Sequence, residues 1–445
     1  MEKRMYNEEK LTPIFEHMAK KKVLVEGAGA IGSIICEALT RNGVGFLKIV
    51  DKDYYEIDNL PKSSFIIRYP EDLHKSKAHA LADRLQTLAK EDCIIEGLNI
   101  DLQKIGPLAV SEFDYVVLAL DNLAMKIFAQ KVVKQCPEQK PIVLSCGTTR
   151  EHSEAMIFAP HGACLRCTIP DAWLKTENPE TVHSCAEVIN YRLPQKTLPV
   201  VSTSGIASMK SAVDIDDMIT AHASGIKSFT ESERYTQTPY PNKNGHGTII
   251  APMDDCPVCK MEPPKDMVIL KGSTMHTTLR QALIAMREYC NSEIKLKVHT
   301  LAIPGVPEQI YDQFVITENC SVCGNEFRLL KHSGDIRKTE ILCEECYANC
   351  NETTHAEKTK EATYTRYFSL NDTDDDILDL TLFELGYPIG GYYEAELICE
   401  NDDEHIYESD EEAVVLTIDD DFEDIAYSEC VIFAMGDDRF FLIDK

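Results

Sequence analysis

The stretch Lys22-Val23-Leu24-Val25-Glu26-Gly27-Ala28-Gly29-Ala30-Ile31-Gly32 decides the fold of this chain. Its first five residues predict a buried strand, and residues 31–42 carry small and apolar side chains at helical spacing. A second apolar run, residues 46–51, predicts the next strand. A strand, a glycine turn, a helix and a strand within about 30 residues form a βαβ unit, from which parallel sheets are built.

The same alternation continues beyond this unit. It predicts helices over 77–88 and 123–135 and strands over 93–98, 115–120 and 141–145. Residues 168–199 are polar and irregular and are predicted to be a crossover loop, followed by a helix over 200–221 and a polar loop over 222–255. We therefore predict an α/β fold with a Rossmann-like, doubly wound, mostly parallel sheet over residues 1–263.

The rest of the chain predicts a smaller, zinc-containing α+β region. We divide it into a zinc-ribbon module, 264–370, and an acidic, β-rich region, 371–445. The last predicted strand, 430–435, is expected to form a hairpin with 439–443.

The composition excludes some classes of function. A formal net charge of −29 argues against nucleic acid and anionic membrane as partners, because both attract clustered Lys and Arg. That charge is explained by solubility or, alternatively, by an acidic docking face for a basic partner. There is no apolar signal segment or membrane-length run, so the 17 cysteines suit a reducing, cytoplasmic setting in which paired cysteines bind metal or act in catalysis.

The glycine turn predicts a phosphate site. Gly27 permits the turn, Gly29 lets a phosphate approach the backbone, and Gly32 lets helix and strand pack closely. The helix start offers free N–H groups to an anion, and Asp51 ends the second strand where a carboxylate can hold ribose hydroxyls. At this point NAD and ATP are equally good ligands.

Four further motifs separate these two ligands. In chain order they are Asp51-Lys52-Asp53, Asn59-Leu60-Pro61-Lys62, Lys75-Ser76-Lys77 at a helix start, and Asp121-Asn122 after an apolar strand. In this order they resemble the ThiF/MoeB and ubiquitin-activating-enzyme superfamily of adenylyltransferases. The resemblance covers roughly residues 20–260.

The resemblance implies roles for individual residues. Asp51, within the Asp51-x-Asp53 motif, is expected to hold the ATP ribose, Asn59 and Lys77 to contact phosphate, and Asp121 to bind magnesium. Lys62 adds a second cation, which suits a triphosphate, as a carboxylate suits a hard metal ion. The alternatives are that Lys62 and Lys77 are ordinary surface lysines and that Asp121 caps a helix.

The chain also departs from the family pattern. The family has arginine where this chain has Lys62 and Lys126, and lysine lacks the bidentate fork of arginine. The family also has an N-terminal arginine that reaches a neighbouring subunit, and this chain has Glu8 at the nearest match. The family implies a homodimer, but these departures weaken the expected role of that arginine.

Two pairs of Cys-x-x-Cys predict a first metal site. Four thiolates form a closed, tetrahedral zinc site of the structural kind, whereas a redox function is the alternative. The long gap leaves the pairing open from spacing alone, and it is the resemblance that joins the two pairs: Cys164, Cys167, Cys256 and Cys259.

Two later pairs have the spacing of a zinc ribbon. We expect this second structural zinc ion to stabilise a small module with little core of its own. Its predicted ligands are Cys320, Cys323, Cys343 and Cys346.

Cys185 lies alone in the crossover loop, in His183-Ser184-Cys185. Many family members have a cysteine in this region that accepts the acyl group as a thioester. A lowered pKa from His183 or the nearby helix start would activate the thiol. The alternative is a loop cysteine without a role.

Together these features predict an enzyme that uses ATP and magnesium to adenylate the C-terminal carboxylate of a ubiquitin-like or sulfur-carrier protein. Transfer through Cys185 to a conjugating partner is then expected, and residues 379–388 faintly resemble a ubiquitin-fold segment that would recruit it. The alternatives are a non-catalytic scaffold, an adenylator of a small peptide, a relative of tRNA-modifying dehydratases and, least supported, an NAD-dependent oxidoreductase.

Overall fold

The computed structural model describes two compact units. One comprises Met1–Pro264, Ala302–Pro307 and Arg439–Lys445, and the other comprises Lys265–Leu301 and Glu308–Asp438; we call them the first and the second unit. The described residues are 15–57, 59, 64, 66–68, 70–90, 92–137, 139–148, 153–169, 201–237, 245–299, 314–320, 323, 326–332, 363–398 and 430–439.

The first unit is built on an eight-stranded sheet. Its strands are β1 Lys22–Glu26, β2 Phe46–Val50, β3 Ile94–Leu98, β4 Tyr115–Leu118, β5 Ile142–Thr148, β6 Ser153–Phe158, β7 Ser232–Gln237 and β8 Gly245–Ile250. They lie in the order β3-β2-β1-β4-β5-β6-β7-β8. Neighbours from β3 to β5 are parallel, and those from β5 to β8 are antiparallel.

Helices alternate with the parallel strands, and one further helix, Val201–Ala223, lies between the antiparallel strands β6 and β7 in the chain. They are α1 Ala30–Arg41, α2 Lys77–Gln86, α3 Pro107–Val110, α4 Leu123–Lys134 and α5 Val201–Ala223, with short 3₁₀ helices at Leu102–Lys104 and Leu165–Thr168. The prediction of an α/β fold with a large, parallel-rich sheet is confirmed.

The predicted polar loop over 222–255 is wrong in part, because β7 and β8 lie within it. Residues 246–249 of β8 are exposed, so this edge strand has little apolar side-chain pattern to detect. Its pairing is made by backbone hydrogen bonds with β7, which any sequence can supply.

The core of the first unit explains why the opening stretch folds as predicted. Val23 and Val25 of β1 pack in one cluster with Ile35 of α1 and Ile215 of α5. Side chains alternate across a strand, so Leu24 and Glu26 lie on the other face of the sheet.

The second unit contains two sheets. The larger has the order β14-β10-β15-β16-β9, and the smaller has the order β12-β11-β13. The elements are β9 Met267–Leu270, α6 Leu279–Cys290, β10 Ile294–Lys297, β11 Phe314–Asn319, β12 Glu326–His332, β13 Thr363–Thr365, β14 Tyr367–Phe368, α7 Asp375–Leu378, β15 Tyr393–Leu397, β16 Cys430–Met435 and a 3₁₀ helix, Gly436–Arg439.

The larger, five-stranded sheet of the second unit changes two expectations about the second half of the chain. Strands from 264–370 and from 371–445 share it, so the structure does not separate these regions at residue 370. The predicted hairpin of 430–435 with 439–443 is wrong, because β16 has β15 on one side and β9 on the other. Both pairings join residues far apart in the chain, which local turn propensity cannot reveal.

Candidate functional site

The glycine turn lies where two central strands end. Gly27 has φ +101°, and a Cβ there would lie 2.7 Å from the carbonyl oxygen of Ala119. A Cβ on Gly32 would lie 1.9 Å from the carbonyl oxygen of Gly27. Both positions therefore require glycine, one for its backbone angle and close approach and the other for packing.

Gly29 differs from these two glycines. A Cβ there would meet nothing within 4 Å, so its backbone borders open space. Gly29 is the N-cap of α1, and no side chain caps this helix end. The first N–H groups of α1 therefore have no intrahelical acceptor and face an opening that can admit an anion.

The carboxylate of Asp51 holds this turn in place. It accepts hydrogen bonds from the backbone N–H of Ala28, at 2.7 Å, and from that of Asp53, at 2.8 Å. Burial raises the pKa of Asp51, whereas these N–H groups lower it. Each carboxylate oxygen can accept more than one hydrogen bond, so this structural role is compatible with a ribose hydroxyl as a further partner.

Asp53 and Lys77 form an ion pair beside Asp51. The Lys77 ammonium lies 3.2 Å from the Asp53 carboxylate, and the Lys77 side chain is only 11% exposed. The backbone N–H of Lys77 also donates to the carbonyl of Asp53 at 2.9 Å. The structure thus brings Lys77 together with Asp51 and Asp53, which the sequence placed in a different motif.

The predicted Asn59 and Lys62 motif is only partly described. The side-chain oxygen of Asn59 accepts a hydrogen bond from the N–H of Glu56 at 3.1 Å, which closes a local turn. Lys62 lies outside the described residues. Beyond it, the N–H of Ser64 donates to the hydroxyl of Ser33 on α1 at 2.9 Å, so this end of the segment is held against the glycine-turn helix.

Asp121 and Asn122 follow β4. The side chain of Asn122 caps α4 by accepting a hydrogen bond from the N–H of Met125 at 3.2 Å. The alternative that Asp121 is the helix cap is therefore wrong. Asp121 is exposed at the carboxyl end of β4.

These residues share one edge of the sheet. β1 and β4 are adjacent and parallel, with Glu26 opposite Leu118, so Gly27 and Asp121 follow neighbouring strand ends. The strand order runs outward in opposite directions from β1 and β4, which makes this the topological switch point of the sheet. Ligands of open α/β sheets bind at such a point.

Lys126 lies one turn into α4 and is buried. Its ammonium donates to the carbonyl of Cys146 on β5 at 2.5 Å. The lysine that replaces the family's arginine therefore ties α4 to the sheet.

Glu26 is a feature that sequence analysis treated only as part of a strand. Its side chain is buried, and within the described residues its Oε2 has no hydrogen-bond partner. Burial raises the pKa of Glu26 to about 8. A charged residue type at the end of a strand with three consecutive apolar residues was the available signal.

The first two Cys-x-x-Cys pairs meet in the first unit. The sulfur of Cys164 lies 3.9 Å from that of Cys167 and 3.5 Å from that of Cys256. The sulfurs of Cys167 and Cys259 are 3.6 Å apart. All four lie within 4.8 Å of one another, so the cluster can hold a metal ion.

The cluster fits zinc in particular. Zn–S bonds of about 2.3 Å in a tetrahedron separate the sulfurs by about 3.8 Å. Hydrogen bonds from neighbouring thiols, Cys164 foremost, lower the pKa of Cys259. The set of four sulfur donors is the one that structural zinc sites use.

The remaining predicted cysteines are less completely described. Cys320 is buried and Cys323 is exposed. Their predicted partners Cys343 and Cys346, and the predicted nucleophile Cys185, lie outside the described residues. The second zinc site and the thioester both stay predictions.

Comparison with known proteins identifies relatives of this chain. A family model described as the ThiF family matches residues 7–302. "SAMP-activating enzyme E1" of Haloferax volcanii is 29% identical over 170 residues, which are 38% of this chain and 59% of the relative. "Sulfur carrier protein adenylyltransferase" of Thermus thermophilus is 28% identical over 178 residues, 39% of this chain and 62% of the relative.

A third relative is "Ubiquitin-like modifier-activating enzyme 5" of Caenorhabditis elegans, which is 28% identical over 171 residues, 35% of this chain and 39% of the relative. The chain thus spans less than two thirds of the length of the relatives it matches. Among the described residues, no helix has the length and apolarity needed to cross a membrane.

Proposed function

Because the chain belongs to the ThiF family, we propose that it uses ATP to adenylate the C-terminal carboxylate of a ubiquitin-like or sulfur-carrier protein. The observation that carries this proposal is the open N-terminus of α1 beside the Asp51, Asp53 and Lys77 group. An open helix end and a partly buried lysine suit a phosphate chain, and a carboxylate suits a ribose.

Asp51 and Asp53 are assigned to the nucleotide, with Gly27, Gly29 and Gly32 shaping the turn. Lys77, Lys62 and Asn59 are assigned to the phosphates. Lys77 is already held toward Asp53, so moving its ammonium to a phosphate exchanges one ion pair for another. Such positioned cations stabilise charge that develops on a phosphoryl group.

Asp121 is assigned to a magnesium ion. A hard divalent cation prefers carboxylate and phosphate oxygens, and Asp121 is exposed at the same strand edge as the glycine turn. The ion would draw charge away from the leaving pyrophosphate.

The proposed reaction needs no group beyond these. An oxygen of the substrate carboxylate attacks the α-phosphorus of ATP, the bond to the β-phosphate oxygen breaks, and pyrophosphate leaves. The protein's contribution is to align the carboxylate with the phosphorus.

We further assign Cys185 as the thiol that attacks the acyl-adenylate. Its sulfur would form the thioester, and AMP would leave with the electron pair of the broken carbonyl–oxygen bond. The acyl group would then pass to a conjugating protein recruited by the second unit, or it would enter sulfur transfer. We propose that the protein works as a homodimer in a cytoplasmic, reducing compartment.

We assign structural zinc to the cluster of four cysteines in the first unit and to Cys320, Cys323, Cys343 and Cys346. The sulfur distances in the first cluster support its assignment. Metal analysis of the purified full chain is expected to find two zinc ions per chain.

ATP–pyrophosphate exchange with a panel of ubiquitin-like and sulfur-carrier proteins tests the activity. We expect exchange with at least one of them and a loss of about 100-fold or more in Asp121→Ala, because the metal ligand acts in the transition state. Asp83→Ala, which removes an exposed carboxylate on α2, is the matched control and should retain exchange.

The same assay separates the two chemical steps. Cys185→Ala should retain exchange but lose the thiol-sensitive acyl adduct, whereas Cys430→Ala, which removes an exposed cysteine, should retain both. Exchange that is unchanged in Asp121→Ala would contradict the magnesium role, and no exchange with proteins or short peptides would favour the scaffold.

A further inference from the structure

Lys134, the last residue of α4, is a buried lysine that has no carboxylate partner among the residues the structure describes. Its side chain is 8% exposed. Its ammonium donates to the carbonyl oxygens of Pro160, at 2.9 Å, and Gly162, at 3.2 Å. In the described part of the chain no acidic side chain pairs with it. Burying an ammonium among neutral groups is costly unless an opposite charge lies nearby.

The cluster of four cysteines, a source of negative charge when its thiols ionise, lies beside Lys134. Lys134 and Cys164 line the same small cavity. The carbonyl of Gly162 is contacted both by the Lys134 ammonium and, at 3.9 Å, by the sulfur of Cys259. Burial lowers the pKa of Lys134 and the charge of Lys140 lowers it further, whereas the charges of Cys259, Cys164 and Cys167 act in the opposite direction and favour the ammonium.

The cluster needs a counter-charge when it holds metal. Four thiolates and one divalent ion carry a net charge of about −2 in a buried site. Arg166, which lies between Cys164 and Cys167, is one buried cation beside the cluster and donates to the carbonyl of Ile169 at 2.7 Å. Lys134 is a second cation, and it comes from a different element, α4.

We propose that Lys134 is the counter-charge of the four-cysteine metal site and positions it by holding the 160–162 loop against α4. The proposal rests on the metal assignment made above for this cluster. It assigns a buried lysine of the nucleotide half to the stability of the metal centre, a role that requires its charge and not only its hydrogen bonds.

Gln130 supplies a matched control. It lies one turn before Lys134 on α4 and lines the same cavity. Its side-chain oxygen accepts a hydrogen bond from the N–H of Leu165, at 2.6 Å, so it also holds the first Cys-x-x-Cys segment, but without charge. Gln130→Met removes a neutral contact, and Lys134→Met removes a charged one.

The experiment measures metal binding by the full chain. Zinc affinity is determined by chelator competition for the wild type, Lys134→Met, Lys134→Arg and Gln130→Met. Changes in groups next to metal ligands typically weaken metal binding about 10- to 100-fold. We expect a loss of that size in Lys134→Met, a clearly smaller one in Gln130→Met, and recovery of most of the affinity in Lys134→Arg, which keeps the charge.

Cobalt substitution separates charge from packing. Removing a nearby positive charge raises the energy of the thiolate electrons, so the sulfur-to-cobalt charge-transfer band should shift to lower energy in Lys134→Met. The band should stay in place in Gln130→Met and Lys134→Arg. A variant that only loosened the loop would weaken binding without this shift.

Three outcomes overturn the proposal. Zinc affinity within about twofold of the wild type in Lys134→Met excludes any role at the metal site. Equal losses in Lys134→Met and Lys134→Arg, with an unshifted cobalt band, exclude the role of charge. Absence of metal binding by the wild type overturns the metal assignment as well, whereas the first two outcomes leave that assignment and the adenylation proposal intact.

Discussion

Glu26 and Asp438 are buried carboxylates, one in each unit, with opposite surroundings. Glu26 ends β1, and its Oε2 has no partner among the described residues. Asp438 follows β16 and accepts hydrogen bonds from the N–H of Thr274 and the N–H of Gly390, both at 2.9 Å, and from the Thr274 hydroxyl. Among the described residues, Oε2 of Glu26 is held in the fold without a hydrogen bond, whereas Asp438 joins three segments of the second unit.

The two units also differ in how far other polar groups are satisfied by hydrogen bonds. The strand ends of the first unit keep unused hydrogen-bonding capacity, as at the open helix end beside Gly29. In the second unit a network of Thr274, Tyr393 and Asp438 satisfies itself internally. Polar groups with spare capacity can bind a ligand, whereas a self-satisfied network stabilises the fold. This contrast supports assigning nucleotide chemistry to the first unit.

The largest effect is expected for Gly32→Ala in the first unit. The new Cβ would lie 1.9 Å from the carbonyl oxygen of Gly27, so the turn must shift. Overpacking of this kind costs about 3 kcal/mol or more. Denaturant unfolding followed by a probe in the first unit should show this loss.

Gly29→Ala is the matched control for that prediction. Its Cβ meets no atom, so the free energy of unfolding should change by less than about 1 kcal/mol. ATP binding should nevertheless weaken, because the methyl group enters the space assigned to phosphate. Unchanged ATP affinity in Gly29→Ala would place the nucleotide elsewhere.

The next largest effect is a pH dependence that comes from Glu26. Its folded pKa of about 8 lies above the unfolded value of 4.5, so its contribution to stability is fully present below pH 4.5 and is lost as the pH rises through about 8. The wild type should lose about 3 kcal/mol between pH 5 and pH 8 relative to Glu26→Gln, which cannot ionise. Parallel pH profiles for the two proteins would show that Glu26 is not buried as described.

Asp438→Ala should lower the free energy of unfolding at pH 8, whereas Glu26→Gln should remove the loss that ionisation of Glu26 causes at that pH. It leaves the N–H groups of Thr274 and Gly390 without their acceptor. The expected loss of stability is about 2 kcal/mol, measured by unfolding followed in the second unit. A neutral or stabilising effect would remove the contrast between the two acids.

The smallest effect is expected at a helix start in the second unit. Thr278 and Gln281 form a reciprocal capping box at the N-terminus of α6. Thr278→Ala should cost about 1 kcal/mol. Glu288→Ala, an exposed change on the same helix, should change stability by no more than about 0.5 kcal/mol in unfolding measurements.

Local sequence signals were sufficient where short-range geometry decides the structure. The turn at Gly27 and the packing at Gly32 follow from the spacing of glycines between a strand and a helix, and both were predicted. Strands β7 and β8 were missed, because β8 is an exposed edge strand with little apolar pattern and its pairing with β7 is made by backbone groups. The pairing of β9 with β16 could not be predicted from local signals, because these two strands are far apart in the chain.

The candidate site divides in the same way. Asp51, Lys77 and Asp121 were proposed from motifs, and their roles stay predictions, but the cap role of Asn122 and the pairing of Lys77 with Asp53 required coordinates. The burial of Lys134 was also not visible from residue type alone.

The sequence by itself determined the βαβ start and the position of the glycine turn, because steric limits on the backbone act over a few residues. Only the tertiary structure decided which cysteines meet, since residues 164–167 and 256–259 are joined by folding and not by spacing. It also decided that Lys134 lies beside that cluster, because a long-range approach of α4 to the loop at 160–162 places its charge there.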